Sequence, residues 1–423
     1  MDQIIDYLLS FLAGNDCRTR IGYTNNPELF HHYDLVIIPS GFFNNAIYGS
    51  NASLPALPLD EWEGIPLLYG SPSVNMYGKT TVLHADIVAS AYFLLSRYEE
   101  IVKPNARDVH GRFPGKESLP YRAGFIHRPV VDEYRIALRR LIKLPSPPQT
   151  FGCIELTHDV DEPYLFRSPR GFVRSLIAGR GLRKSINGLT GPPANDPYYT
   201  FPLMAAAGTQ LADMYGPRLR HCVFFRAGGR TPFDKPRYNP ASKNITRIAE
   251  LFSTLEGFEI GLHASYQAGI EPALISGEKE RLERAFKREI FANRHHFLAS
   301  RQPQDMNALI ASGIRRDYTM GYADVAGFRL GTARNVQYIN PACRKLTELE
   351  LHPLMIMDSS LEEKKYMGLT YREAIEYSRT IIDNSRKVGG NITILWHNTS
   401  MTNKPGSYLS TLYPNLIQYI SKQ

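Results

Sequence analysis

Cysteine is scarce in this 423-residue chain: Cys17, Cys153, Cys222 and Cys343 lie far apart and form no C-x-x-C pair. That excludes a disulfide framework and the common thiolate zinc motifs, and it reads as reduced core thiols in a cytosolic protein. Long apolar runs are missing too. The start, "MDQIIDYLLSFLAGNDCRTR", carries Asp2 and Asp6 where a secretory leader carries basic residues, and its apolar stretch is too short and broken to span a bilayer. It reads as an amphipathic first helix. No G-x-S-x-G is present, so the usual serine hydrolase elbow has no nucleophile. "GRGLRKS", Gly179 to Ser185, lacks the Gly-Lys-Ser of a phosphate loop, and no G-x-G-x-x-G follows a strand-like run. Internal repeats and low-complexity tracts are likewise absent.

What is present is globular in kind, with 43% apolar and 21% charged residues. The formal charge of +8 is compatible with nucleic acid, an anionic polysaccharide or a membrane surface, and equally with a solvated basic surface. The length predicts two domains. Up to Leu144 short apolar runs such as "DLVIIPSGFF" precede a helical pattern over Asp86 to Val102, with Asp86 placed to cap it. The proline-rich "LPSPPQT", Leu144 to Thr150, has no apolar period and is expected to be a linker between an N-terminal domain, 1–144, and a larger one, 151–423. From Phe151 onward strand-like runs alternate with helical ones, which predicts a parallel α/β fold, open or closed into a barrel.

Three of those strand-like runs end in side chains suited to chemistry: "CIELTHDVDEP", "FEIGLHASY" and "ITILWHNTS". In parallel α/β folds the strand ends gather on one face, so such residues meet. With no serine elbow or nucleotide loop, carboxylate and imidazole remain, and that set suits metal-assisted hydrolysis. A divalent ion held by Asp and His lowers the pKa of water from 15.7 towards ~7, while a free carboxylate takes the proton and an imidazole protonates the leaving group. In "HDVD", Asp159 and Asp161 fall on the same side of a strand but displaced along it, and His158 is expected on the opposite, core side.

These residues resemble a known family. "LTHDVDEP", "EIGLHASY" and "ILWHN", in that order, look like the metal-dependent polysaccharide deacetylases of the carbohydrate esterase family 4 type. The resemblance covers roughly the last two-thirds of the chain. It implies a distorted parallel (β/α) barrel, with Asp159 as general base, Asp161 and His263 as metal ligands and His397 as general acid. The first third, through "DIVASAYFLLSRYEE", "HGRFPGKESLPYRAGF" and "RPVVDEY", is similar to a smaller α/β module of unknown role that precedes the deacetylase domain in a bacterial subgroup associated with surface polysaccharide genes. The loop holding Asp108, His110 and Arg112 is expected to be structural.

One position departs from the family's pattern. Its second histidine falls four residues after the first, where this chain has Gln267, a poor zinc ligand. The replacement expected is His296 in "NRHHFLAS", with His295 as its competitor, both read as lying in a charged helix; Arg294 then falls in an Arg-x-His motif of the subgroup. Arg294, Arg226 and Trp396 are the candidates for contacting substrate, with Arg329 a weaker one; arginines after strands are more often structural partners, and Trp396 suits a sugar face or the core wall. The expectation is a hydrolase removing an N- or O-acetyl group from a carbohydrate with a divalent ion, zinc first among the metals. The alternative is an inactive glycan-binding protein on the same scaffold. The basic stretch Phe166 to Ile186 interleaves arginines with apolar residues, which is compatible with anionic lipid and a lipid-linked glycan. It has few aromatics to stack on bases, so nucleic acid is not expected.

Overall fold

The computed structural model of the protein describes residues 1–301 and 303–423. Two compact units divide the chain. The first holds Met1–Gly152, Met320–Met355 and Thr380–Ile392; the second holds Cys153–Thr319, Ile356–Arg379 and Thr393–Gln423.

In the first unit the strands Ile21–Tyr23, Leu35–Ile37, Thr80–Ala85 and Gly70–Tyr77 form a sheet in that order, parallel except for the last pair. The amphipathic helix Asp2–Ala13 forms as expected, burying Ile4, Leu8, Leu12 and Ala13. Asp86 caps the helix Ile87–Leu95 by accepting a hydrogen bond from the Ala89 N–H at 2.9 Å. The helical run expected to continue to Val102 breaks at Arg97, which is left-handed at φ 57°, and resumes at Tyr98–Val102. Just before the break the Ser96 hydroxyl bonds back to the Tyr92 carbonyl at 2.6 Å, a competitor for the helical ladder.

Segments far apart in sequence build this unit. The buried Asp132 carboxylate accepts hydrogen bonds from the Thr332 hydroxyl, the Ala333 N–H and the Arg334 guanidinium, and Glu100 pairs with Arg329 at 2.8 Å. Arg329 thus serves a buried ion pair. Contacts of this kind draw 320–355 and 380–392 into the same unit as residues 1–152, which a local composition break cannot reveal.

The second unit is a parallel α/β layer. Its strands, in chain order, are Ile154–Val160, Leu219–Phe225, Phe258–Ala264, Ala292–His295, Arg316–Asp317, Ile356–Met357 and Ile392–Leu395. In space they run 316–317, 292–295, 258–264, 219–225, 154–160, 392–395, 356–357. The first five are joined pairwise in parallel, and helices Phe201–Tyr215, Lys243–Phe252, Leu274–Phe286 and Gln304–Ala311 make the crossovers between them. The series is open: strand 356–357 has one strand neighbour among the described residues, so the expected closure into a barrel is not found. Central strands are buried on both faces and therefore read as continuous apolar runs, Ile154–Val160 being buried at every position.

The segment read as one charged helix through His295 is different. The helix ends at Phe286, where Lys287 takes φ 52°, and Ala292–His295 is a fully buried strand paired with 258–264 and 316–317. Pairing on both sides overrides the local helical pattern.

Candidate metal and catalytic site

Each strand end of the second unit delivers one part of a polar cluster. Along Ile154–Val160 the pleat sends Thr157 and Asp159 to one face, where the guanidinium of Arg294 donates to both: Nη1 to Asp159 Oδ1 at 3.0 Å and Nη2 to Thr157 Oγ1 at 2.9 Å. His158 goes to the other face as expected. There it packs beside Phe252 and Tyr413 with Nδ1 3.0 Å from the Trp396 carbonyl, and burial pushes its pKa down to about 4.

Asp161 follows the strand. Its backbone is tied by Arg226, whose Nη2 donates to the Asp161 carbonyl at 2.5 Å and to that of Pro236 at 2.6 Å. The Tyr238 hydroxyl donates to the Val160 carbonyl and accepts from the Arg226 N–H. His263, second from the end of its strand, has Nδ1 2.9 Å from the Arg294 carbonyl. A carbonyl only accepts, so Nδ1 carries the proton and Nε2 presents a lone pair. That lone pair faces Asp161 Oδ1 at 3.2 Å. His296 Nε2 stands 3.3 Å from the same oxygen, and its Nδ1 faces Asp234 Oδ1 at 3.7 Å. The chain turns sharply just beyond it, with Phe297 at φ 62°.

Asp161, His263 and His296 form a group whose ligand atoms lie within 4.8 Å of one another. Asp161 Oδ1 and His263 Nε2 are buried and make no hydrogen bond. Two acceptors facing each other in a buried site repel unless a cation or a proton lies between them. Ligand atoms each ~2.0–2.1 Å from a tetrahedral ion stand about 3.3 Å apart, close to the two separations found. The residues present fit a divalent metal, and a donor set of two imidazoles and one carboxylate suits zinc and other divalent transition metals. Burial works to raise the Asp161 carboxyl, but His296, His263 and Arg226 together hold it well below the ordinary value. Asp234 behaves similarly: burial opposes its charge, and His296, Thr231 and the Tyr266 N–H outweigh that, bringing it down to about 2.

On either side of this group stand two titratable side chains. Asp159 Oδ2 is 3.6 Å from His263 Nε2, and His397 Nε2 is 3.6 Å from Asp161 Oδ2. Asp358 holds His397 from behind, with Oδ1 2.8 Å from Nδ1 and Oδ2 accepting the His397 N–H at 2.7 Å. Burial disfavours the imidazolium, yet Asp358, then Asp161 and Asp159, push its pKa up to about 10.

Several expected site residues are placed elsewhere. Arg294 is fully buried and donates to Asp159, Thr157 and the Tyr318 carbonyl, so it braces the site from behind instead of facing substrate. Arg226 is buried as the anchor of the Asp161 loop. Trp396 is fully buried with its ring 5.1 Å from that of Tyr413, so it is core wall rather than a sugar platform. His295 points away from the cluster, with Nδ1 3.1 Å from Asn293 Nδ2 and Nε2 3.8 Å from Asp305. Gln267 lies outside the group, accepting from the Arg230 N–H and donating to Glu271. The Asp108 loop is closed on itself by hydrogen bonds from the His110 and Arg112 N–H groups.

Two residues were not singled out from the sequence. Asp358 ends the apolar run "LMIMD", the same strand-then-carboxylate signal as "CIELTHDVD". Asp234 sits in the capping box of "TPFD", where a structural role hides any other.

Fold and site together define the class: a parallel α/β unit with a two-histidine, one-aspartate group at its strand ends. A family model described as "Family of unknown function (DUF7033)" matches residues 4–147. Among curated proteins none matches. Among solved structures the chain is similar to "Crystal structure of putative polysaccharide deacetylase from Mycobacterium smegmatis", at 16% identity and a TM-score of 0.38, over 66% of this chain and 87% of that one.

Proposed function

We propose that the chain is a metal-dependent hydrolase that removes an acetyl group, N- or O-linked, from a carbohydrate. The observation that carries this reading is the pair of buried, unsatisfied acceptors, Asp161 Oδ1 and His263 Nε2, with His296 completing a ligand set and two proton-transfer groups flanking it. The carbohydrate and the acetyl group come from the motif resemblance of "LTHDVDEP", "EIGLHASY" and "ILWHN".

Asp161, His263 and His296 would hold the cation, zinc in the first place. When bound, it supplies Lewis acidity and makes water available as a nucleophile near neutral pH. Asp159 accepts the proton from that water. Arg294 fixes one oxygen of Asp159 and leaves the other towards the group, so the base is oriented before substrate arrives. His397, held protonated by Asp358, delivers a proton from Nε2 to the departing sugar amine or hydroxyl. Asp234 stands behind His296, its Oδ1 3.7 Å from Nδ1, longer than a hydrogen bond, and its negative charge there favours His296 as a ligand.

The test is acetate release from a panel of acetylated glycans, with and without chelator. Asp159→Asn and His397→Ala should keep the metal and lose turnover by ~10² to 10⁴-fold, the usual contribution of a positioned acid or base. Turnover that survives chelation, or near-normal rates in both variants, would overturn the reading.

A further inference from the structure

The connection that leaves Asp161 does not run directly to the next helix. It first forms a two-helix hairpin, Pro169–Ile177 and Leu182–Thr190. Packing in this hairpin is inverted relative to a water-soluble pair of helices. The buried positions on its two helices are small residues: the Ser185 hydroxyl donates to that of Ser175 across the pair at 2.8 Å, while Gly171 and Gly188 pack on the buried Phe166 that precedes the hairpin. The large apolar side chains point outwards: Ile177 is 82% exposed, Leu182 62% and Val173 52%, with Leu176 and Ile186 exposed as well. Small residues at the buried positions of the helices and large apolar ones outside is the arrangement that lipid favours and water does not.

Charge points the same way. Between Glu162 and Asp196 there is no acidic residue, while six basic ones occur. Arg167 is spent on the Gly191 carbonyl and Arg180 lies over the Phe166 ring. Arg170, Arg174, Arg183 and Lys184 are exposed and make no ion pair among the described residues. Among the described residues no helix is long and apolar enough to cross a membrane. Short helices with exposed apolar and basic side chains have the character of an element that lies in a bilayer surface.

We infer that the hairpin 169–190 docks the protein onto an anionic lipid surface, bringing the strand end that carries Asp161 to the membrane. The inference stands apart from the proposed chemistry. If both hold, the substrate class narrows to glycans carried on lipid.

The experiment is co-sedimentation of the full chain with phosphatidylcholine vesicles and with vesicles containing phosphatidylglycerol, at low and high salt. Binding should need the anionic lipid and weaken with salt. Each of Arg170→Gln, Arg174→Gln, Arg183→Gln and Lys184→Gln should cost about fivefold in vesicle affinity. The triple variant Leu176→Ser/Ile177→Ser/Leu182→Ser should lose at least about a hundredfold. All of these side chains are exposed, and circular dichroism checks the fold. Failure to sediment with anionic vesicles at low salt would overturn the inference, as would binding that neither set of variants changes. A chain that ignores vesicles but changes from oligomer to monomer in the triple variant would assign the hairpin to a second copy instead. None of these readouts depends on acetate release.

Discussion

Asp234→Asn is the sharpest probe of how the site is assembled, because it alters neither a ligand nor a proton-transfer group. Asp234 Oδ1 accepts the Tyr266 N–H at 2.7 Å and faces His296 Nδ1 at 3.7 Å, while Oδ2 accepts the Thr231 N–H at 3.1 Å and its hydroxyl at 2.7 Å. An asparagine has one acceptor oxygen. Turned to satisfy His296 and Tyr266, it sets its amide against the Thr231 N–H; turned the other way, it abandons His296. Either orientation also removes the charge that makes His296 a better donor to a cation. Loss of such a partner costs 10- to 100-fold in metal affinity, about 1.4–2.8 kcal/mol, and the forced mispairing places this variant towards the larger end. Competition titration of Zn²⁺ against a chromophoric chelator reads it directly. Gln267→Ala is the matched control and should leave affinity unchanged, since the Gln267 side chain lies outside the group and bonds to Arg230 and Glu271. Equal affinities for wild type and Asp234→Asn, or a larger loss in Gln267→Ala, would refute the ligand assignment through His296.

Two further expectations concern pH. His397, raised to about 10 chiefly by Asp358 against the effect of burial, should show an alkaline limb of turnover well above 6.5, moving down by roughly 1–3 units in Asp358→Asn; an unmoved limb would remove His397 from the acid role. The same raised value gives stability that is complete below pH 6.5 and lost as pH rises towards about 10. His158 and His221 have the opposite sign. Burial lowers them to about 4 and about 3, so their contribution is complete above pH 6.5 and is lost on acidification through that window. Each is worth up to roughly 3–5 kcal/mol, and a melting temperature that stays flat from pH 6.5 to 4 would contradict their burial as neutral groups.

The parts of this molecule legible in sequence are those governed by short-range pattern. Buried strands flanked by helices announce themselves as apolar runs, which is why Ile154–Val160, Phe258–Ala264 and Ile392–Leu395 were recognisable along with their terminal Asp and His residues. His158 followed from alternation alone. Ala292–His295 was hidden because four residues beside a charged helix carry no period of their own; pairing on two sides makes it a strand and turns His296 towards Asp161 while His295 faces away. The placing of Arg294, Arg226 and Trp396 is hidden from sequence for a related reason. A side chain after a strand can point into the site or brace it from behind, and only the positions of partners such as Asp159, Tyr318 and Tyr413 decide. Open or closed sheet topology is still further from local pattern, since it depends on which strand edges meet.

The central claim is that Asp161, His263 and His296 hold one divalent cation. Metal analysis of purified protein after loading with Zn²⁺ and desalting tests it most directly, in wild type and in Asp161→Asn, His263→Ala, His296→Ala and His295→Ala. The account predicts about one equivalent in wild type and in His295→Ala, and strongly reduced content in the other three with folding retained. Full occupancy in Asp161→Asn and His263→Ala, or equal loss in the two neighbouring histidine variants, would contradict it.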